Sequence, residues 1–258
     1  MANSGEVVTY KELDERSNKI ANLFRSKNLN SGDHIAIFME NNVRFTEILW
    51  AAQRSGLYYT PISSRLTATE VEYIIRDCEA KLIITSNALK HVVVELTNLI
   101  NDIPDRYIID GEIDGWDSFE KSLTSMPSSP INDEIMGQDM LYSSGTTGTP
   151  KGIMLTHLNL SSNAHCLKNV WGFTHKDILL HALPIFHVHG LFVALGCVFL
   201  SGASTFWLNI FNQNEVLSAL PKCTVMMGVP TYYTRLLATN QMNKLVTKNM
   251  RLFISVSA

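Results

Sequence analysis

The sequence predicts an α/β protein whose mixed or parallel sheets carry helices on both faces. Short apolar runs rich in β-branched residues alternate along the chain with longer segments whose apolar residues recur at helical spacing. This alternation is typical of sheets whose strands are connected by helices. Hydrophobic residues make up 46% and charged residues 17% of the 258 residues, a composition typical of a globular protein with a substantial buried core.

Residues 1–138 predict a first α/β subdomain. Thr9 and Glu12 form a capping box that starts the first helix, and the turn at 30–33 ends it. The next strands are predicted at 34–39, 57–62, 81–85 and 106–109, and the next helices at 43–55, 67–78 and 87–100. Residues 111–138 are polar and contain two prolines, so they predict a connection with one short helix near 116–123.

Residues 139–258 predict a second α/β subdomain. Strands are predicted at 139–143, 152–155, 177–181, 204–208, 224–228 and 251–255, and helices at 157–170, 190–201, 213–220 and 230–239. The last strand has no helix after it, whereas each of the four strands before it is followed by one. The sequence therefore predicts that this subdomain is truncated.

Charge and hydropathy exclude two classes of function. The chain has 21 Lys and Arg against 24 Asp and Glu and no basic block, which argues against nucleic-acid binding. The apolar run 178–200 is long enough to span a membrane, but its histidines, proline and glycines predict a strand, a loop and a buried helix instead. The first residues lack a signal-peptide pattern, so we predict a cytoplasmic location, or the mitochondrial matrix if a transit peptide has been lost.

The strongest local signal is the segment 143–152, here called the phosphate loop. It follows an apolar strand and contains five hydroxyl side chains, three glycines and one lysine. Glycines allow backbone N–H groups to approach an anion, hydroxyls donate to phosphate oxygens, and lysine adds a positive charge. A P-loop NTPase is disfavoured, because Pro150 precedes Lys151 and Gly152 follows it. A surface loop without a ligand is the remaining alternative.

The run 142–152 resembles the signature loop of the adenylate-forming superfamily, which includes acyl-CoA synthetases, firefly luciferase and peptide-synthetase adenylation domains. Segments 8–13 and 51–66 are similar to further family segments, and 183–191 is similar to the acyl-pocket motif of the acyl-CoA branch. The resemblance implies the N-terminal domain of that fold. It also implies the family's reaction, in which an acid and ATP give acyl-AMP and pyrophosphate, and coenzyme A then takes the acyl group.

The resemblance also implies the residues that hold ATP. Its phosphates would be held by Ser143, Ser144, Gly145, Thr146, Thr147, Gly148 and Lys151. A Mg²⁺ ion at Thr147 would bridge phosphate oxygens and offset charge as the α-phosphorus is attacked. The substrate carboxylate is the nucleophile, so catalysis would depend on positioning and electrostatics rather than on a protein nucleophile.

Two histidines follow in the acyl-pocket motif. The resemblance places His187, as the catalytic residue, and His189 beside the reacting carboxylate and the adenylate. An imidazole N–H there could orient a carboxylate or phosphate oxygen. Two alternatives stay open, namely a histidine satisfied within the core and a metal site suggested by the His-x-His spacing. Residues 183–196 contain no carboxylate or cysteine that would complete such a metal site.

Segments 184–194, 224–237 and 250–258 look closer to malonyl-CoA synthetases than to fatty-acid ligases. The second carboxylate of malonate (or methylmalonate) requires a compensating cation, and Arg235 is the predicted one, with a surface arginine or a structural salt bridge as the alternative. Ser257 and Ala258 are predicted to line the acid pocket. Val256 departs from the family pattern, which has glycine there, and a β-branched side chain would crowd a close backbone approach.

The resemblance implies that the chain covers only the N-terminal half of such an enzyme, without the later motifs and the C-terminal domain. The polypeptide alone is therefore expected not to turn over. Two other functions stay open. One is a fatty-acyl or aryl-CoA ligase, which differs only in the acid, and the other is an ATP-binding module without catalysis.

Overall fold

The computed structural model describes residues 4–143 and 150–256. The chain divides into two compact units, one formed by Val8–Thr156 and the other by Met1–Val7 with His157–Ala258. The boundary predicted at residue 138 lies at the start of a strand that hydrogen-bonds into the sheet of the first unit. Both strands that flank the phosphate loop therefore belong to the first unit.

The first unit contains a seven-stranded sheet with the order β5-β4-β3-β1-β2-β6-β7. Its strands are β1 (His34–Phe38), β2 (Tyr58–Ile62), β3 (Ala80–Ser86), β4 (Asp105–Ile109), β5 (Asp117–Ser118), β6 (Gln138–Ser143) and β7 (Lys151–Leu155). Its helices are α1 (Tyr10–Ser26), α2 (Val43–Arg54), α3 (Ala68–Asp77), α4 (Lys90–Leu99) and α5 (Phe119–Leu123), with a 3₁₀ turn at Asn87–Leu89. All neighbouring strands are parallel except β6 and β7, so the predicted mixed sheet is confirmed.

Local signals explain where the helices of this unit begin. The capping box at α1 is formed, since the Glu12 N–H donates to Thr9 Oγ1 at 3.2 Å and the Thr9 N–H donates to Glu12 Oε2 at 2.8 Å.

Both faces of the sheet are covered. Phe38 packs with α3 and α4 on one face, while Ile35 and Ile37, which point to the other face, are also fully buried.

The second unit contains a parallel sheet with the order β11-β10-β8-β9. Its strands are β8 (Ile178–His181), β9 (Ser204–Trp207), β10 (Val225–Gly228) and β11 (Leu252–Ser255). Its helices are α6 (His157–Trp171), α7 (Leu195–Ser201), α8 (Gln213–Ala219) and α9 (Pro230–Leu237), with a 3₁₀ turn at Leu220–Lys222. The successive residues Leu179 and Leu180 of β8 belong to different core clusters, so this sheet is also packed on both faces.

The apolar run 178–200 forms a strand, a loop and helical structure, as predicted. The helix predicted from residue 190 begins as a π-helix over His189–Ala194 before it continues as α7. Within the described parts of the chain, no helix has both the length and the apolar character needed to cross a membrane.

A buried carboxylate joins the starts of β8, β10 and β11. Asp177 Oδ1 accepts hydrogen bonds from Arg251 Nε at 2.7 Å and Thr224 Oγ1 at 2.8 Å, and its Oδ2 accepts from Arg251 Nη2 at 2.8 Å and the Thr174 N–H at 2.9 Å. Arg251 is thus partly exposed but has a structural ion pair on its inner side.

Candidate active site

The base of the phosphate loop is a pair of residues on opposite strands. Ser143 ends β6 and Lys151 begins β7, and the two are direct partners in the antiparallel ladder. Directly opposite residues of such a ladder point to the same face, so the hydroxyl and the ammonium group lie together, and both residues are exposed. The other predicted ATP residues, and the predicted Mg²⁺ position at Thr147, lie outside the described residues: Ser144, Gly145, Thr146, Thr147 and Gly148.

The ladder between β6 and β2 ends before the phosphate loop begins. β6 pairs with β2 only at Gln138 and Asp139, and its later residues pair with β7 alone. Gly152 lies opposite Tyr142, and a Cβ there would lie 2.2 Å from the Met140 side chain and 3.3 Å from the Tyr142 ring. Because Gly152 has no side chain, the side chains of Met140 and Tyr142 can lie against its backbone.

Two tyrosines connect this hairpin to α3. The Tyr142 hydroxyl donates to Asp77 Oδ2 at 2.5 Å, and the Tyr73 hydroxyl donates to the Pro150 carbonyl oxygen at 3.3 Å. The sequence interpretation assigned no role to Tyr73 or Asp77. The sequence does contain one indication of a role for Asp77. It lies at the C-terminal end of a predicted helix, where a carboxylate opposes the helix dipole and is therefore unfavourable for the helix.

The acyl-pocket motif follows β8 in the second unit as a tight loop. The His187 N–H donates to the Pro184 carbonyl oxygen at 3.3 Å. A Cβ at Gly190 would lie only 2.3 Å from that same oxygen, so the loop can close only because this residue is glycine. His187 is exposed, with its ring 4.6 Å from that of Phe186, whereas His189 is buried. The two histidines therefore have different surroundings.

A cluster of buried nitrogen atoms lies near the carboxyl ends of β8 and β9. His181 is fully buried and meets Trp207 edge to face at 5.2 Å. Within the described residues, no hydrogen-bond partner is found for either ring nitrogen of His181 or His189, or for Trp207 Nε1. Ligands often bind at the carboxyl ends of parallel strands, a signal that could have drawn attention to His181 and Trp207 from the sequence.

Burial keeps both of these histidines uncharged. It lowers the pKa of His181 to about 3, with a further contribution from His189, and it also lowers the pKa of His189. A neutral imidazole can donate one hydrogen bond and accept one, but it cannot balance an anion. In residues 4–143 and 150–256, no group of three or more His, Cys, Asp or Glu could hold a metal ion.

Arg235 lies on α9, which two tyrosines fix to the sheet. The Tyr233 hydroxyl donates to the Ile254 carbonyl oxygen at 2.5 Å, and the Tyr232 hydroxyl donates to that of Ala182 at 3.4 Å. Residues three apart share a helix face, so Arg235 lies on the same side of α9 as Tyr232. Arg235 is exposed, and the described part of the chain offers its guanidinium no ion pair.

The end of the described chain continues from β11. The Val256 N–H donates to the Gly228 carbonyl oxygen at 3.2 Å, and Val256 is not among the described residues with a positive φ. A β-branched residue is therefore accommodated without the left-handed backbone that would favour glycine. The predicted pocket residues Ser257 and Ala258 lie outside the described residues.

The fold is that of the N-terminal domain of the adenylate-forming enzymes. The ATP-bound structure of MatB from Rhodopseudomonas palustris has a TM-score of 0.86 to this chain at 34% sequence identity, over 99% of this chain and 50% of that chain. The family described as AMP-binding enzyme matches residues 1–258, and the chain belongs to this family.

CoA ligases are among the proteins similar to this chain. The human "Malonate--CoA ligase ACSF3, mitochondrial" is 30% identical over an alignment of 244 residues, which covers 89% of this chain and 41% of that protein. The "Long-chain-fatty-acid--CoA ligase FadD13" of Mycobacterium tuberculosis is 28% identical over 97% of this chain and 50% of that protein. The chain thus spans about half the length of the relatives that it matches.

Proposed function

We propose that this chain acts in an ATP-dependent CoA ligase that activates a small carboxylic acid, malonate or methylmalonate. The observation that carries the proposal is the pairing of Ser143 with Lys151 at the base of the phosphate loop, in a chain of the AMP-binding enzyme family. A hydroxyl and an ammonium group on one face are suited to phosphate oxygens. The cytoplasm is the proposed location, with the mitochondrial matrix as the alternative.

In the proposed reaction, a carboxylate oxygen of the acid forms a bond to the α-phosphorus of ATP, and pyrophosphate leaves. The thiol of coenzyme A then attacks the acyl carbon of the acyl-AMP, loses its proton and displaces AMP. Lys151 would hold the negative polyphosphate, and a ring N–H of exposed His187 would orient a carboxylate or phosphate oxygen. Mg²⁺ would offset phosphate charge, but Thr147 lies outside the described residues, so no step is assigned to the ion.

Replacing Lys151 by alanine should weaken ATP binding to this chain by roughly tenfold or more, because a charge-assisted contact to phosphate is lost. Calorimetric titration of the 258-residue chain with ATP measures the change. Lys121→Ala is the matched control, since this lysine of the same unit pairs with Glu112 at the surface. Equal ATP affinity in wild type and Lys151→Ala would contradict the assignment of Lys151.

The identity of the acid depends on the second unit. A distal carboxylate needs a cation, and the buried His181 and His189 are held neutral. Arg235, exposed and without an ion pair in the described structure, is the group that we propose for this role. The malonate ligase among the relatives supports this choice. A long-chain fatty-acid ligase is also among them, so the alternative is an acid without a second carboxylate.

Arg235→Ala should lower kcat/KM for malonate by about 10- to 100-fold, because a carboxylate would lose its charged partner. Butyrate is an acid of similar size to malonate without a second carboxylate, so its kcat/KM should change little. Pyrophosphate release by the full-length enzyme measures both. Proportionally equal losses for the two acids would show that Arg235 does not contact the distal carboxylate.

An ATP-binding module without catalysis is the second candidate function. Such a module would bind ATP through Lys151 and release no pyrophosphate with any acid. A panel of malonate, methylmalonate, fatty acids and aryl acids, assayed by acid-dependent pyrophosphate release, separates this candidate from the ligase and also identifies the acid.

A further inference from the structure

We infer that Asp77 and Tyr142 are positioning residues of the phosphate loop, and that the C-terminal end of α3 supports the hairpin that carries the loop. This inference rests on the proposed function of that loop in binding ATP. Neither residue is inferred to touch ATP. Their hydrogen bond would act through the geometry of Ser143 and Lys151.

The sheet gives the loop end of this hairpin only part of its support. The ladder between β2 and β6 ends at Asp139, so from Met140 to Ser143 the ladder partners of β6 lie in β7, while Met140 and Tyr142 pack against the core cluster. β7 is the last strand of the sheet and has no strand on its other side among the described residues. The positions of Ser143 and Lys151 therefore depend on contacts from outside the ladder.

Helix α3 supplies those contacts at both ends of the loop. Tyr142, which donates to Asp77 at 2.5 Å, immediately precedes Ser143. Pro150, whose carbonyl oxygen accepts from Tyr73 at 3.3 Å, immediately precedes Lys151. The Tyr142 ring also packs against the core cluster that contains residues of α3. One helix thus holds both strands of the hairpin at the positions where the phosphate loop leaves and returns.

The placement of Asp77 is unfavourable for the helix itself. Asp77 is the last residue of α3, where a negative charge opposes the helix dipole, and the described residues provide no ion pair for it. Its described partner is Tyr142. The pKa of Tyr142 is raised by burial and by the hydrogen bond to Asp77, so the tyrosine remains a donor at physiological pH. The bond therefore serves the hairpin rather than the end of the helix.

ATP affinity in a double-mutant cycle tests the inference. In the complete 258-residue chain, Asp77→Ala and Tyr142→Phe should each weaken ATP binding by about five- to tenfold, with a smaller loss for AMP, which lacks the polyphosphate. The double variant should bind no more weakly than either single variant, because both changes remove the same bond. Asp77→Asn retains an acceptor oxygen and should keep most of the affinity.

Two further readouts distinguish positioning from a loss of stability. Asp77→Ala removes an unfavourable charge and adds a strong helix former. The thermal midpoint of unfolding should therefore not fall, although ATP affinity does. Glu72→Gln is the matched control, because this carboxylate of α3 contacts Arg76 at 2.7 Å and not the hairpin. Unchanged ATP affinity in Asp77→Ala and Tyr142→Phe, or losses that add in the double variant, would overturn the inference.

Backbone amide exchange separates failure of this inference from failure of the proposed function. Asp77→Ala and Tyr142→Phe should accelerate exchange at Leu141 and Ile153 of the hairpin several-fold and leave Ile37 of the central strand unchanged. Absence of ATP binding by the wild-type chain would contradict the proposed function. Exchange at Leu141 and Ile153 that is equal in the wild type and both variants would contradict the support by α3.

Discussion

Replacing Asp177 by alanine should lower the free energy of unfolding by about 2–3 kcal/mol. The buried carboxylate accepts five hydrogen bonds, two of them from Arg251, and joins the starts of three strands. Losing one partner of a buried ion pair costs about 3–5 kcal/mol, and the partial exposure of Arg251 reduces that cost. Urea unfolding of the wild type and the variant measures the difference.

The control is Asp102→Ala, which removes an exposed carboxylate that pairs with Arg76 at the surface and should change stability little.

The stabilisation by Asp177 should also depend on pH. Burial favours the neutral acid, but Arg251, the Thr174 N–H and the Thr224 hydroxyl outweigh it and hold the pKa of Asp177 at about 2.

The direction of that dependence follows from the lowered pKa. Above the ordinary carboxyl pKa of about 3.9, Asp177 is charged in the folded and unfolded chains, and its stabilisation is complete. As the pH falls from about 4 through 2, the unfolded chain binds a proton first, and the stabilisation is lost. A difference between wild type and Asp177→Ala that stays constant from pH 5 to pH 2 would contradict this account.

Gly190→Ala should reduce both stability and activation of the acid. Its Cβ would lie 2.3 Å from the Pro184 carbonyl oxygen and 3.0 Å from the carbonyl carbon, and backbone atoms cannot move aside as a flexible side chain does. The loop that carries His187 and His189 must then shift. We expect a loss of about 2–3 kcal/mol in the free energy of unfolding and at least about a tenfold loss in kcat/KM for malonate.

Gly196→Ala is the matched control for this change. It lies in the neighbouring helix α7, and its Cβ would meet only the Ala164 methyl group at 3.2 Å, while alanine favours the helix. Chemical unfolding and pyrophosphate release by the full-length enzyme give the two readouts. If Gly190→Ala were as stable and as active as Gly196→Ala, the close approach at Pro184 would have no role in shaping the loop.

Local signals were sufficient to predict most elements of the fold. The capping box at Thr9 and the apolar periodicity after it predict α1, because both act between residues close in sequence. The unit to which the β6–β7 hairpin belongs was not predictable in this way. It depends on the pairing of Gln138 with Tyr58. The residue pattern of a strand does not specify which other strand it will pair with.

The candidate site was predictable to a similar extent. The composition of the phosphate loop and the acyl-pocket motif indicated Lys151 and His187, and their roles stay proposals. No local pattern indicates that His187 is exposed while His189 is buried, because burial depends on how the loop packs. The contact between Asp77 and Tyr142 joins distant parts of the chain, and no local pattern reports such a contact.

The strand order of the first unit has a consequence for the growing chain. β1 is central, with β2 and β3 as its neighbours, and β4 pairs with β3, so each of these strands has a partner that precedes it in the chain. β6 must instead reach back to β2 after several other elements have formed. Until residues 138–143 have been synthesised, β2 lacks its second neighbour in the sheet, so a nascent chain that ends before β6 leaves β2 as an edge strand.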